Sequence, residues 1–192
     1  MRTGIAYYIG APASGKTTLA RAHAIEAQRE NRWPILVIDT EGVAQLRGFQ
    51  HVRSVREAIE SLWGRPRRNA ALRPRGPEEV EAILAAVHRC GRVNVLVDEV
   101  HLWLTSRSAV TDPLLRLMRA HRHVKLRLFL TTQHLSGDIP QAALSCAPVL
   151  HVFRCTSPAT LERLERHWDI RPELVRTLPQ FQYVRHFDGF DK

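Results

Sequence analysis

Cysteine is scarce: Cys90, Cys146 and Cys155 are the three the chain carries, widely spaced. They form no disulfide framework and no Cys-based metal pattern, and they suit a reducing compartment. Of the ten histidines only His121 and His123 sit close together, and no Cys or carboxylate joins them at ligand spacing. Long apolar runs are missing as well, none approaching the roughly 20 residues that span a bilayer. The short apolar run before residue 10 follows a single Arg and leads straight into a glycine motif, so it reads as a strand and not as a signal peptide. A soluble, cytoplasmic location follows as an expectation, within a host cell or a virion if the source is viral. Acid is under-represented: 19 Asp and Glu stand against 28 Lys and Arg, for a formal net charge of +9. A basic, Arg-dominated chain suits a polyanion such as nucleic acid. A high-Arg composition inherited from a GC-rich genome would give the same count.

What is present is the composition of an ordinary globular domain, 44% hydrophobic and 24% charged over 192 residues. That length suffices for one core, and no linker or repeat divides it, so residues 1–192 read as a single domain. Short apolar runs alternate with helical patterns. Strands are expected at 4–10, 34–40, 92–100, 124–133, 148–155 and 181–187, with a weaker one at 68–75. Helices are expected at 16–30, 54–63, 76–91, 111–123, 139–147, 157–168 and 171–179. Leu19, Ala20, Ala24 and Ala27 mark the buried face of the first, and Ser54 is the N-cap of the second. Alternating strands and helices predict an α/β fold with a mostly parallel central sheet and helices on both faces. The stretch 64–77, with five Arg and three Pro, is the most loop-like. It reads either as a solvated connection or as a phosphate-contacting loop.

Residues 10–18, GAPASGKTT, fit G-x-x-x-x-G-K-[ST] and lie between a strand and a helix. In such a loop Gly10, Ala11, Pro12, Ala13, Ser14 and Gly15 wrap a phosphate with their backbone. Lys16, Thr17 and Thr18 open the helix whose N–H groups and dipole face the negative charge. Lys16 would reach the β- and γ-phosphates of ATP, and Thr17 would place its hydroxyl on Mg²⁺. Within the strand expected at 92–100, apolar residues lead to Asp98, and Glu99 follows one residue on. Asp98 suits the Mg²⁺ shell. Glu99 suits a base that polarises water for attack on the γ-phosphate, a role unnecessary when a substrate supplies its own hydroxyl. The next strand ends in Thr131, Thr132 and Gln133. Strand ends carry the site in a parallel nucleotide-binding sheet, so Gln133 or Thr132 is expected to sense the γ-phosphate or the attacking water.

These pieces in this order resemble the FtsK–HerA superfamily of P-loop motor ATPases. The likeness rests on Gly10 to Thr17, on Asp98 and Glu99, and on Gln133 in the Thr-Gln that ends the next strand. The passage 138–155 and the close ELVRTLPQFQYVRHF extend it over most of the chain. A compact motor without a membrane segment is most similar to the genome-packaging ATPases of internal-membrane icosahedral viruses. The stretch LMRAHRHVKLRLFLTTQH also resembles the zonula-occludens-toxin-like assembly ATPases of filamentous phages. Ala11-Pro12-Ala13 departs from the richer Gly/Ser set common in the family, but the glycines and Lys16 that set the geometry are retained.

The resemblance implies a ring, usually hexameric, that threads double-stranded DNA without regard to sequence and docks on a capsid or membrane portal protein. It also implies an arginine finger supplied by a neighbouring subunit. Arg119, Arg122 and Arg154 are the candidates, with Arg122 ranked ahead of Arg154. Arg65, Arg67, Arg68, Arg73 and Arg75 are candidates for the DNA-facing or subunit-facing surface, and His101 for a relay of the site's state. Two other functions stay open on the residues: a nucleotide-dependent assembly switch, and a small-molecule kinase whose lid would be the stretch 64–77.

Overall fold

The computed structural model describes residues 4–39, 47–103, 113–135 and 139–187. The first strand, β1 (Ile5–Ile9), is buried along its whole length. It leads into α1 (Lys16–Asn31). Then come β2 (Ile35–Ile38), β3 (Gln50–Val52), α2 (Val55–Trp63), β4 (Ala70–Leu72), α3 (Pro77–Cys90) and β5 (Val93–Val97). A 3-10 turn at Val100–Leu102 precedes α4 (Pro113–Ala120) and β6 (Leu126–Thr132). The chain closes with α5 (Gln141–Leu144), β7 (Val149–Phe153), α6 (Pro158–Trp168), α7 (Pro172–Arg176) and β8 (Tyr183–Phe187). Residues 40, 111–112 and 138, which belong to the expected strand 34–40, the expected helix 111–123 and the passage 138–155, lie outside the described residues.

The strands form one sheet in the order β3-β4-β2-β5-β6-β1-β7-β8. Every pairing is parallel except β7 with β8. The parallel strands β1, β5, β6 and β7 therefore end on one edge of the sheet. Their burial on both faces accounts for the continuous runs of apolar residues that mark them in the sequence. The expected α/β class is the observed one.

The two faces are covered unequally. On one side α1 is the only helix on the sheet among the described residues, and Ala20, Ala24 and Ala27 pack against Ala6, Tyr8, Val37, Leu96 and Phe129. Alanines at helical spacing bring the helix axis close to the strands. The other helices share the opposite face, where Ile5, Tyr7 and Ile9 meet Leu62, Ile83, Leu117 and Leu161. Ser54 caps α2, accepting from Glu57 N at 3.2 Å, and Ser157 caps α6, as their sequence positions predict. β3 was not legible: two of its three residues are exposed and it has no apolar alternation. The stretch 64–77 is not one loop. Buried β4 interrupts it, so Arg65, Arg67 and Arg68 precede a sheet strand while Arg73 and Arg75 follow it.

Beyond α1, a ring cluster fills the same face. His151 of β7 is 1% exposed and stacks on Tyr8 with centroids 4.8 Å apart. Tyr8 Oη meets His23 Nδ1 at 2.7 Å. Burial, reinforced by the positive potential of His23 and Arg185, pushes the His151 pKa down from 6.5 to about 4. Burial also lowers His23. The unfolded chain takes up these protons near pH 6.5, whereas the fold refuses the one on His151 until about pH 4. Stability is therefore fully present above pH 6.5 and is lost as pH falls toward 4, by up to about 3 kcal/mol for His151. Thermal unfolding across pH 7 to 4.5 should show the melting temperature falling, and His151→Phe should flatten the slope. An unchanged slope in the variant would remove His151 as the cause.

Candidate functional site

The phosphate-loop sequence folds as a wrap at the end of β1. Gly10 N donates to Thr132 O at 3.2 Å and Ala11 N to Arg154 O at 2.9 Å, so the loop is pinned to both neighbouring strands. A Cβ on Gly10 would come within 2.7 Å of Phe153 Cβ. Gly15 takes φ 100 as the N-cap of α1, a conformation glycine adopts without penalty. No side chain caps α1, which leaves its first-turn N–H groups to an anion. Ser14 Oγ is buried with no hydrogen-bond partner among the described residues. An oxyanion inside the loop would satisfy such a hydroxyl.

β6 lies between β1 and β5, so the polar tip of β6 stands between the phosphate loop and the two acids. Thr131 joins those acids. Its hydroxyl donates to Asp98 Oδ1 at 2.5 Å and accepts from Glu99 N at 3.1 Å. Glu99 has φ 48, a left-handed conformation that costs a non-glycine residue about 1–2 kcal/mol. It turns the chain back at the strand tip and leaves Glu99 only 3% exposed.

Four donors surround the Glu99 carboxylate. Lys16 Nζ is 2.9 Å from Oε1, and Gln133 Nε2 donates to the same oxygen at 3.1 Å. Gln133 N donates to Oε2 at 3.0 Å, and His101 Nδ1 lies 3.4 Å from it. The single Thr132 proton goes to His134 O at 2.8 Å. His101 Nδ1, 3.1 Å from Thr132 Oγ1, is therefore the protonated nitrogen and points its hydrogen toward Thr132 and Glu99.

Thr17 Oγ1 donates to Asp98 Oδ1 at 3.2 Å. A hydroxyl and a carboxylate converging there form the hard oxygen set that suits Mg²⁺. The sequence-expected residues Lys16, Thr17, Asp98, Glu99 and Gln133 thus lie in one cluster. Gln133 reaches it through Glu99, Thr131 bridges the two acids, and Thr132 faces the histidines. Of the three arginine candidates, Arg119 is exposed in the last turn of α4, and the other two separate. Arg154 is exposed beside the loop, its carbonyl bonded to Ala11 N. Arg122, also exposed, lies before β6 at the opposite edge, where His121 abuts Gly4 at the start of β1. The seven residues of β6 put roughly 20 Å between the two edges. Arg65, Arg67, Arg68, Arg73 and Arg75 are all exposed, and Arg75 pairs with Glu79.

A family model described as an AAA domain matches residues 1–137, a span that holds the loop, the acids and Gln133. No curated protein matches the chain. Among solved structures, the genome packaging NTPase B204 from Sulfolobus turreted icosahedral virus 2, in complex with sulfate, matches with a TM-score of 0.80 at 18% identity, over 100% of this chain and 94% of that one. The same protein in complex with ATP-gammaS gives 0.78 at 19% identity, over 100% and 96%. B204, the DNA-packaging ATPase from Sulfolobus turreted icosahedral virus, gives 0.70 at 20% identity, over 96% and 92%. At these identities the likeness is one of fold, and it extends over the whole sheet including β7 and β8.

Proposed function

The chain belongs to the AAA domain family, and from that membership we propose that it is an ATP-hydrolysing motor that translocates double-stranded DNA, packaging a viral genome into a capsid. The observation that carries this reading is the position of Glu99. It is buried between Lys16 and Gln133 at the tips of two core strands, where a base can act on water beside a terminal phosphate. The fold shared with a viral genome packaging NTPase supports the class of work. The net charge of +9 supports a polyanionic track.

In this mechanism the loop backbone and the start of α1 hold the phosphates. The terminal phosphate draws the Lys16 ammonium away from Glu99, which frees the carboxylate to take a proton from water. Gln133, bonded to that carboxylate through both its backbone and its side chain, moves with it and reports the change to β6. Thr17 and Asp98 would hold Mg²⁺, which supplies positive charge to the phosphate oxygens.

The proposed assembly is a hexameric ring with ATP at subunit boundaries, docked on a capsid or membrane portal protein in the host cytoplasm or the virion. Among the described residues no helix is long and apolar enough to cross a membrane. Arg122 lies too far from its own site to serve it, so as a finger it acts only on a neighbour. Arg154 stands at its own loop. The test is the ATPase rate against DNA concentration at two salt levels, alongside particle sizing. A rise with DNA that fades at high salt, from a ring-sized particle, is expected. A flat response from a stable ring would replace the motor with a nucleotide-dependent assembly switch.

A further inference from the structure

Phe181 is 65% exposed, the most exposed of the large apolar side chains among the described residues. Its backbone is held at φ 66, in the left-handed region that side-chain-bearing residues avoid. Neither burial nor local backbone preference keeps the ring where it is. The phosphate loop does. Gln180 Nε2 donates to Ala13 O at 3.2 Å. A Cβ built on Gly15 would lie 2.8 Å from Phe181 Cδ1 and 3.6 Å from Phe153 Cε1. Two aromatic rings thus flank the last glycine of the loop, one buried and one open to solvent.

The sheet order gives this placement a direction. Lys16, Asp98, Glu99 and Gln133 gather at the tips of β5 and β6, on one side of β1. The strands on its other side are β7 and β8. A nucleotide with its terminal phosphate among the acids extends its sugar and base the other way, toward β7 and β8. On that side α1 reaches β7 through His23, whose ring lies 5.1 Å from that of His151, while Tyr183 of β8 remains 40% exposed, its ring 5.3 Å from that of Phe153.

Resting on the reading that the loop binds a nucleotide, we infer that Phe181 is the platform on which the nucleobase stacks, held at the phosphate loop by Gln180. An aromatic ring offers a π-face to any base. Phe181 therefore contributes affinity for the nucleoside part of the ligand and none for the phosphates. It also couples the turn leading into β8 to occupancy of the site.

Calorimetric titration with magnesium ADP and, separately, with magnesium pyrophosphate separates the two parts. Phe181→Ala is expected to weaken ADP binding by about ten-fold, the order that base–aromatic stacking carries, and to leave pyrophosphate binding unchanged. Phe181→Trp should restore ADP binding. The ring is on the surface, so the melting temperature of each variant should match that of the unchanged protein. Equal losses for both ligands, or no loss for either, would overturn the platform. If the unchanged protein binds pyrophosphate as tightly as ADP, the platform falls and the phosphate site stands. If it binds neither, the nucleotide reading itself fails and the platform fails with it.

Discussion

Glu99→Gln is expected to slow ATP hydrolysis by about 10²–10⁴-fold, the contribution of a positioned general base, while ATP still binds. The amide has the shape of the carboxylate and keeps an oxygen that can accept from Gln133 N or Lys16, so the pocket stays filled. What it loses is the capacity to take a proton from water. Binding should persist because the phosphate contacts come from the loop backbone, Lys16 and α1, none of which depends on that proton. Steady-state phosphate release together with ATP affinity checks the prediction. A parallel loss of affinity would make Glu99 a ligand-holding or structural residue.

Lys16→Met has the second large effect, and it acts on the fold as well as on the ligand. Lys16 and Glu99 are 6% and 3% exposed and stand 2.9 Å apart. Removing the ammonium leaves a buried carboxylate facing only Gln133 and His101. Breaking a buried pair in this way costs about 3–5 kcal/mol, or roughly 10 °C in melting temperature for a chain of this size. ATP affinity should vanish with the ammonium. Adding Glu99→Gln to the same chain removes the orphaned charge and should recover most of the lost stability without recovering ATP binding. A double-mutant cycle by thermal unfolding reads the coupling. A single variant that melts with the unchanged protein would show that the pair does not hold the site together.

The parts of this site that were legible in the sequence are those fixed by local chemistry. The glycines of residues 10–15 announce a backbone wrap, and the apolar run ending at Asp98 and Glu99 announces a strand tip. What stayed hidden depends on pairing between distant segments. Nothing local says that β6 lies between β1 and β5, and that placement gives Thr131 its hold on both acids. The sequence leads to the expectation that Gln133 or Thr132 meets the γ-phosphate or the attacking water. What it does not announce is that Gln133 bonds Glu99 through both its backbone and its side chain and that Thr132 lies between His101 and His134. Phe181 escaped notice because an aromatic opening the expected strand 181–187 reads as an ordinary strand residue, and nothing local announces the left-handed backbone that it adopts. The weaker strand expected at 68–75 is the short, buried β4 (Ala70–Leu72), and it divides the arginines of 64–77.

The most direct measurement is the chemical step itself: single-turnover hydrolysis of ATP by rapid quench, in the unchanged protein and in Glu99→Gln. The account predicts that the variant holds ATP intact long after the unchanged protein has cleaved it. Equal cleavage rates in the two would contradict the claim that water is activated by Glu99 at the tips of β5 and β6.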